Sequence, residues 1–167
     1  MKASELMIGD LVLYKYQRVS MVPLGENELS RTVENFEKIV RVESVNWNSI
    51  SYKEKTAEGL EYYVTVNEEY LRPVLLTLEI LKKNNFKESA INLVAGYWIS
   101  QDSGYSIGVS LNPTAADMNR AILVINLVTN FKVFLEDSSL PTDQKPFGVH
   151  NLQHAIRAAG VNKEIVV

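Results

Sequence analysis

Arg72-Pro73-Val74-Leu75-Leu76-Thr77-Leu78-Glu79 divides the chain in two. Proline has no N–H to give a β-ladder and pushes its predecessor into extended backbone, so a pairing strand ends here. Thr77 can cap a helix that begins at Leu78. Glu79 falls in the first turn, where the helix dipole favours a carboxylate, and Leu76 can close over Leu81. Lys82 and Lys83 suit the far end. Asn85 tolerates the left-handed C′ position, and Phe86 can fold back on Leu81. The pattern predicts a helix from Leu78 to about Asn84 and a boundary between two domains, residues 1–75 and 76–167.

Working back from this boundary, Gly9-Asp10 is a turn signal directly before Leu11-Val12-Leu13-Tyr14, which places the first strand near Leu11. A polar stretch from Gly25 to Asn35 follows. Ile39, Val40, Val42 and Val45 then make a second β-prone segment, Trp47-Asn48-Ser49 its turn, and Ile50, Tyr52, Tyr62, Val64 and Val66 continue the alternation around Glu58-Gly59. Four or five short strands at this spacing suit an SH3-like small β-barrel.

Working forward, Ile91–Ser100, Tyr105–Leu111, Ala121–Val128 and Phe131–Glu136 read as an antiparallel meander broken by Asp102-Ser103-Gly104, Asn112-Pro113 and Thr129-Asn130. Ile122-Leu123-Val124-Ile125 is apolar at consecutive positions, so that strand is expected to be covered on both faces. Pro113–Asp117 can form a helical turn. Ser138 to Gly148 reads as loop, residues 149–159 as a closing helix ended by Gly160, and Ile165-Val166-Val167 as a last short strand. The fold class expected is α+β: a small β-barrel followed by an α+β domain.

Composition narrows function by exclusion. The chain has 46% apolar and 22% charged residues, as a folded globule does, and a net charge of −3, which gives no global attraction to phosphate backbones. It has no cysteine, so disulfides, thiolate metal sites and thiol nucleophiles are excluded. No stretch of about 18 consecutive apolar residues and no leader-like opening is present, and the expectation is a soluble, cytoplasmic protein without a membrane partner. No G-x-S-x-G elbow, P-loop or G-x-G-x-x-G turn gives positive support for acyl transfer, nucleotide hydrolysis or dinucleotide chemistry, and no cofactor is implied.

His150-Asn151-Leu152-Gln153-His154 is one side chain away from H-E-x-x-H, in which two histidines a helical turn apart bind zinc and the glutamate acts as general base. Asn151 stands where that base would be, and an amide has no basicity near neutral pH. A third ligand would have to come from a carboxylate such as Glu136, Asp137 or Asp143. Plotted at 100° per residue, Leu152, Ala155, Ile156 and Ala159 share one face with Val149 at its edge, while His150, His154 and Arg157 fall opposite. Solvated or lightly packed helix-surface histidines are the expected reading, with Arg157 a candidate contact for a partner. The same three acids also read better as a solvated loop than as a hydrolytic pair.

The remaining bias is aromatic. Tyr14, Tyr16, Trp47, Tyr52, Tyr62 and Tyr63 crowd the first half, and in small barrels such residues can line a peptide or single-strand groove, though strand packing also uses them. Tyr14, Tyr16, Trp47, Tyr52 and Arg157 are therefore the partner-binding candidates. Arg18, Arg31, Lys38 and Arg41 would have to gather with the aromatics for nucleic acid to bind.

Three landmarks, Met1–Asp10, Pro73–Phe86 and Val149–Arg157, together resemble uncharacterised small proteins of Bacteroides-type gut bacteria and their prophages. The resemblance covers roughly a quarter of the chain and implies no chemistry. Relatives of that kind tend to carry glutamate where Asn151 stands and glycine where Asn85 stands, and both Gly and Asn tolerate positive φ. The expectation is a non-enzymatic interaction module with a protein partner, carried by a phage or mobile element. A nucleic-acid-associated accessory protein and a degenerate metal-dependent hydrolase at His150 and His154 are the alternatives.

Overall fold

β1 (Leu11–Gly25) and β2 (Glu28–Arg41) form the longest feature of the molecule, an antiparallel hairpin paired from Leu11↔Arg41 out to Gly25↔Glu28. The computed structural model describes residues 1–25, 28–89, 97–111, 120–137 and 147–167, and the side chains of all of these except 22–25, 28–30, 97, 120, 136 and 137. The chain forms two compact units, Met1–Val74 and Leu75–Val167. Among the described residues the architecture is mostly antiparallel β with two helices, an α+β arrangement.

In the first unit β3 (Ser44–Val45), β4 (Ser49–Lys55) and β5 (Glu61–Asn67) make one three-stranded sheet. A 3-10 turn, Glu68–Tyr70, leads into β6 (Leu71–Pro73), which returns to pair with β1 in a second sheet of order β2-β1-β6. Gly9 turns the chain into β1 with φ 87°, which glycine tolerates. Asp10 is fully buried, and its carboxylate accepts the Met7 N–H at 2.8 Å. The core gathers Ala3, Leu6, Val12, Val40, Val42, Ile50, Tyr52, Val66 and Leu71. Ala3 and Leu6 come from the opening 3-10 turn (Ala3–Glu5) and its end, while Val40 with Val42 and Ile50 with Tyr52 are inward positions of a period-two pattern.

The polar stretch from Gly25 to Asn35 is largely strand. From Glu28 onward it is the outer half of β2, and β1 runs some ten residues past the run that announces it. Apolar alternation marks a strand only where one face meets a core, and here the hairpin has left the core: Val12 and Val40 are buried, whereas Arg18 and Glu34, opposite one another on the same face further out, are exposed.

The second unit opens on α1 (Leu78–Lys83), whose ends follow the sequence signals. Thr77 Oγ1 accepts the Ile80 N–H at 3.3 Å, Asn85 takes φ 62°, and Phe86 N–H and Asn85 N–H donate to Leu81 O and Lys82 O. A five-stranded antiparallel sheet follows in the order β11-β10-β9-β8-β7, built from β7 (Lys87–Glu88), β8 (Tyr97–Asp102), β9 (Tyr105–Ser110), β10 (Arg120–Asn126) and β11 (Phe131–Asp137). Residues 91–96, the expected helical turn at Pro113–Asp117 and most of the Ser138–Gly148 loop lie outside the described residues.

β10 is an interior strand, yet it is not covered equally on both sides. Ile122 and Val124 are fully buried, and Leu123 and Ile125 only partly so. The expected strand at Ile165–Val167 does not form. The Asn84 side chain takes its place, donating Nδ2 to Val166 O at 2.7 Å and accepting Val166 N–H at 2.9 Å, so an amide satisfies the backbone groups a strand would have used.

α2 (Val149–Ala158) closes the unit and packs against β10 and β11. Val149, Leu152, Ala155, Ile156 and Ala159 are buried, as the wheel predicts. Gly160 has φ 65°, and Val161 N–H donates to Ile156 O. Buried Asn126 locks this end: Nδ2 donates to Ala159 O and Gly160 O, while Oδ1 accepts from Val128 and Thr129 in the β10–β11 turn.

Candidate functional site: an aromatic groove beside the hairpin

Tyr14 and Tyr16 lie two apart on β1, on the side of the hairpin that further down carries buried Val12 and Val40. Register places Phe36 opposite Tyr16 and Lys38 opposite Tyr14. The rings stack in a row, Phe36 on Tyr16 at 5.0 Å and Tyr16 on Tyr14 at 4.8 Å, and Tyr14 leans on Tyr52 at 6.1 Å. None of Tyr14, Tyr16 and Phe36 is fully covered. Beside them opens a groove of about 870 Å³, walled by Tyr14, Tyr16, Phe36, Gln17 and Val19 from the hairpin and by Glu69, Tyr70 and Arg72 from the 3-10 turn and β6.

A charged network holds the row from below. Lys38 pairs with Glu54 and sits over the Tyr52 and Tyr14 rings at 4.7 and 5.8 Å, while the Tyr62 hydroxyl donates to Glu54 at 3.2 Å. Burial works to lower the Lys38 pKa, but its bonds to Glu54 and Tyr52 prevail and hold it above the usual lysine value. The hydrogen bond from Lys38 holds Glu54 below the usual carboxylate value, and burial raises the Tyr14 and Tyr52 phenols. These tyrosines are neutral at pH 7 and offer rings and hydroxyls.

The other charges lining the groove are largely compensated. Lys15 pairs with Glu37, and Arg72 Nη1 donates to the carbonyls of Glu69 and Leu71, both at 2.8 Å. Such a surface suits a ligand that brings apolar side chains and hydrogen-bonding groups.

Of the residues singled out by sequence, the structure brings Tyr14, Tyr16 and Tyr52 together. Trp47 sits on the β3–β4 turn, 95% exposed, and is not among the groove's lining residues. Arg157 belongs to the second unit, on the exposed side of α2. Phe36, Tyr70 and Arg72 were not anticipated as groove residues. Phe36 becomes legible only once the register Tyr16↔Phe36 is known, and that register lies in the half of the hairpin without core alternation. Arg18 and Lys38 stand on one side of the hairpin and Arg31 and Arg41 on the other, interleaved with Glu34 and Glu37, so the four cations do not share a face.

The histidine pair resolves differently. His150 and His154 meet edge to face with ring centroids 5.9 Å apart, and no group of three or more His, Cys, Asp or Glu suited to a metal occurs among the described residues. Asp143 and the side chains of Glu136 and Asp137 lie outside them. Asn151 is the third residue of α2, and its Oδ1 accepts the Gly148 N–H at 2.8 Å. The position that would carry a metalloprotease's base is thus occupied by a helix-capping side chain.

His150 is not the solvated or lightly packed residue expected; it is buried, at 9% exposure. Arg157, seven residues on and at nearly the same angle around the helix, is exposed. A helical wheel gives direction but not depth along the axis. Here the chain at Leu75–Leu76 runs beside the helix entry, bridging to Gly148 and donating from Leu76 N to Phe147 O at 2.8 Å.

The molecule is thus of the mostly antiparallel α+β class, with an aromatic groove on its first unit. No family model, curated protein or solved structure matches the chain. Among the described residues no helix is long and apolar enough to cross a membrane.

Proposed function

We propose that the protein is a non-enzymatic interaction module that binds a peptide segment of a protein partner in the aromatic groove, and that its first unit is a small barrel of SH3-like type. The barrel reading draws on strand order. Two three-stranded sheets are joined where β2 runs on towards β3, with Glu43 N–H donating to Ser51 O, and a 3-10 turn returns β6 to β1. The binding reading is carried by one observation, the row Phe36–Tyr16–Tyr14 left partly uncovered at the wall of an open groove. Stacked tyrosines offer large rigid contact area with little side-chain entropy to lose, and aromatic residues dominate interface energetics.

The test is selection of binders from a displayed random-peptide library, followed by titration against the parent protein and Tyr16→Ala, with circular dichroism to check folding. Peptides that bind the parent should lose roughly tenfold or more in affinity for the folded variant. A selection whose binders do not distinguish the two proteins would refute the groove.

A further inference from the structure

We infer that the groove's ligand is an extended segment that pairs as a strand with the open edge of β1; this rests on the peptide-binding reading above. β1 is paired with β2 along its whole length, but its other edge meets β6 only at Val12↔Pro73, Leu13↔Arg72 and Tyr14↔Leu71. Beyond Tyr14 the preceding 3-10 turn carries the chain out of line with the sheet, and from Lys15 to Met21 this edge has no strand beside it among the described residues. Seven residues of open edge span roughly 20 Å.

The groove reaches this edge. Its wall takes in Tyr14 to Gln17 of β1, Asn35 to Glu37 of β2 on one side of that strand, and Glu69, Tyr70 and Arg72 on the β6 side, so the groove spans the hairpin and reaches the open edge just beyond the last β1–β6 pair, Tyr14↔Leu71. A row of backbone donors and acceptors at strand spacing is matched by another backbone of the same spacing, while alternate side chains read the pockets on either side.

Charge fixes the chemistry of the occupant further. Arg18 on the open edge is exposed and has no ion pair among the described residues, whereas Lys15 is already paired with Glu37. A strand continuing the antiparallel line of β6 would set a residue opposite Tyr16 on the aromatic face and one opposite Arg18 two positions along on the same face. The partner is therefore an extended segment with an apolar or aromatic side chain opposite Tyr16, an acidic one opposite Arg18 and a β-branched one opposite Val19.

The probe is a synthetic heptapeptide with phenylalanine, aspartate and valine at those three places, and two versions of it N-methylated at one or the other alternate set of residues. Strand pairing predicts that the parent peptide binds the full-length protein, that one N-methylated set loses roughly tenfold or more while the other keeps its affinity, and that Arg18→Glu exchanges the preference for aspartate into one for lysine. Alternate amides between Lys15 and Met21 should exchange with solvent more slowly in the complex. Equal binding by both N-methylated sets, or no binding of the parent peptide at about 1 mM, overturns the inference. Equal binding that still depends on Tyr16 leaves the groove standing without the edge. An edge pattern insensitive to Tyr16→Ala leaves the edge without the groove.

Discussion

The two ends of one hairpin hold facing residues in opposite circumstances. On the face that carries the rings, Val12 faces Val40 at its foot, both buried, and Arg18 faces Glu34 near its middle, both exposed. Backbone pairing is continuous between them, so hydrogen bonding alone does not distinguish foot from arm. A third strand and a core do. β6 flanks the foot, and Ile50, Tyr52 and Leu71 pack beneath it, whereas the arm is a two-stranded ribbon, which by itself has marginal stability in water. The foot supplies stability, and the arm presents an edge and a row of rings.

The largest expected effect is at the foot. Leu71→Ala removes a fully buried side chain from the strand that pins β1 and should cost about 2–5 kcal/mol in urea unfolding. A loss below about 1 kcal/mol would mean that β6 does not secure the hairpin.

α2 offers the same contrast between two histidines. His150→Ala, at the buried entry, should cost about 1–3 kcal/mol, and His154→Ala, partly exposed one turn on, no more than roughly 0.5. Equal losses that vary with added zinc or EDTA would point instead to a shared metal.

The network under the aromatic row gives a smaller effect with a defined pH dependence. The folded pKa of Glu54 is lowered, so its contribution is present above the unfolded value of about 4.3 and fades as pH falls through the lower folded value. That of Lys38 is raised, so its contribution is present below about 10.4 and fades as pH rises through the higher folded value. Glu54 is 34% exposed and screened, and Glu54→Gln should cost no more than about 1 kcal/mol at pH 7. The gap between variant and parent should narrow in melts below about pH 4, and a gap unchanged at pH 3 would remove the ion pair from the account.

Smallest of all, Val19→Ala and Val33→Ala should each shift stability by no more than roughly 0.5 kcal/mol. A loss approaching that of Leu71→Ala would show that the arm is packed rather than open.

What the sequence disclosed follows the same division. Helix ends are local chemistry, so Thr77, Asn85 and Gly160 announce their caps and the structure places them there. Core strands announce themselves through alternation, as at Ile50, Tyr52 and Val66. The outer hairpin has no buried face to imprint a pattern, and Gly25 to Asn35 therefore reads only as a polar stretch. Phe36 joins the site through register, and the depth of His150 comes from chain packed beside the helix entry; neither is written in nearest-neighbour spacing. At the C-terminus the apolar run Ile165-Val166-Val167 suggests a strand, but a distant amide, Asn84, claims its backbone groups.

Native-state hydrogen exchange of the free protein, resolved amide by amide along β1, tests the division of the hairpin most directly. At the foot, amides on both sides of the strand should be protected, because β2 and β6 flank it there. From Lys15 to Met21 protection should alternate, with the amides facing β2 slowed and those facing the open edge exchanging close to the rate of unstructured chain. Uniform protection of every amide from Val12 to Met21 would contradict the account, because it would mean that the edge assigned to a partner is already covered in the free protein.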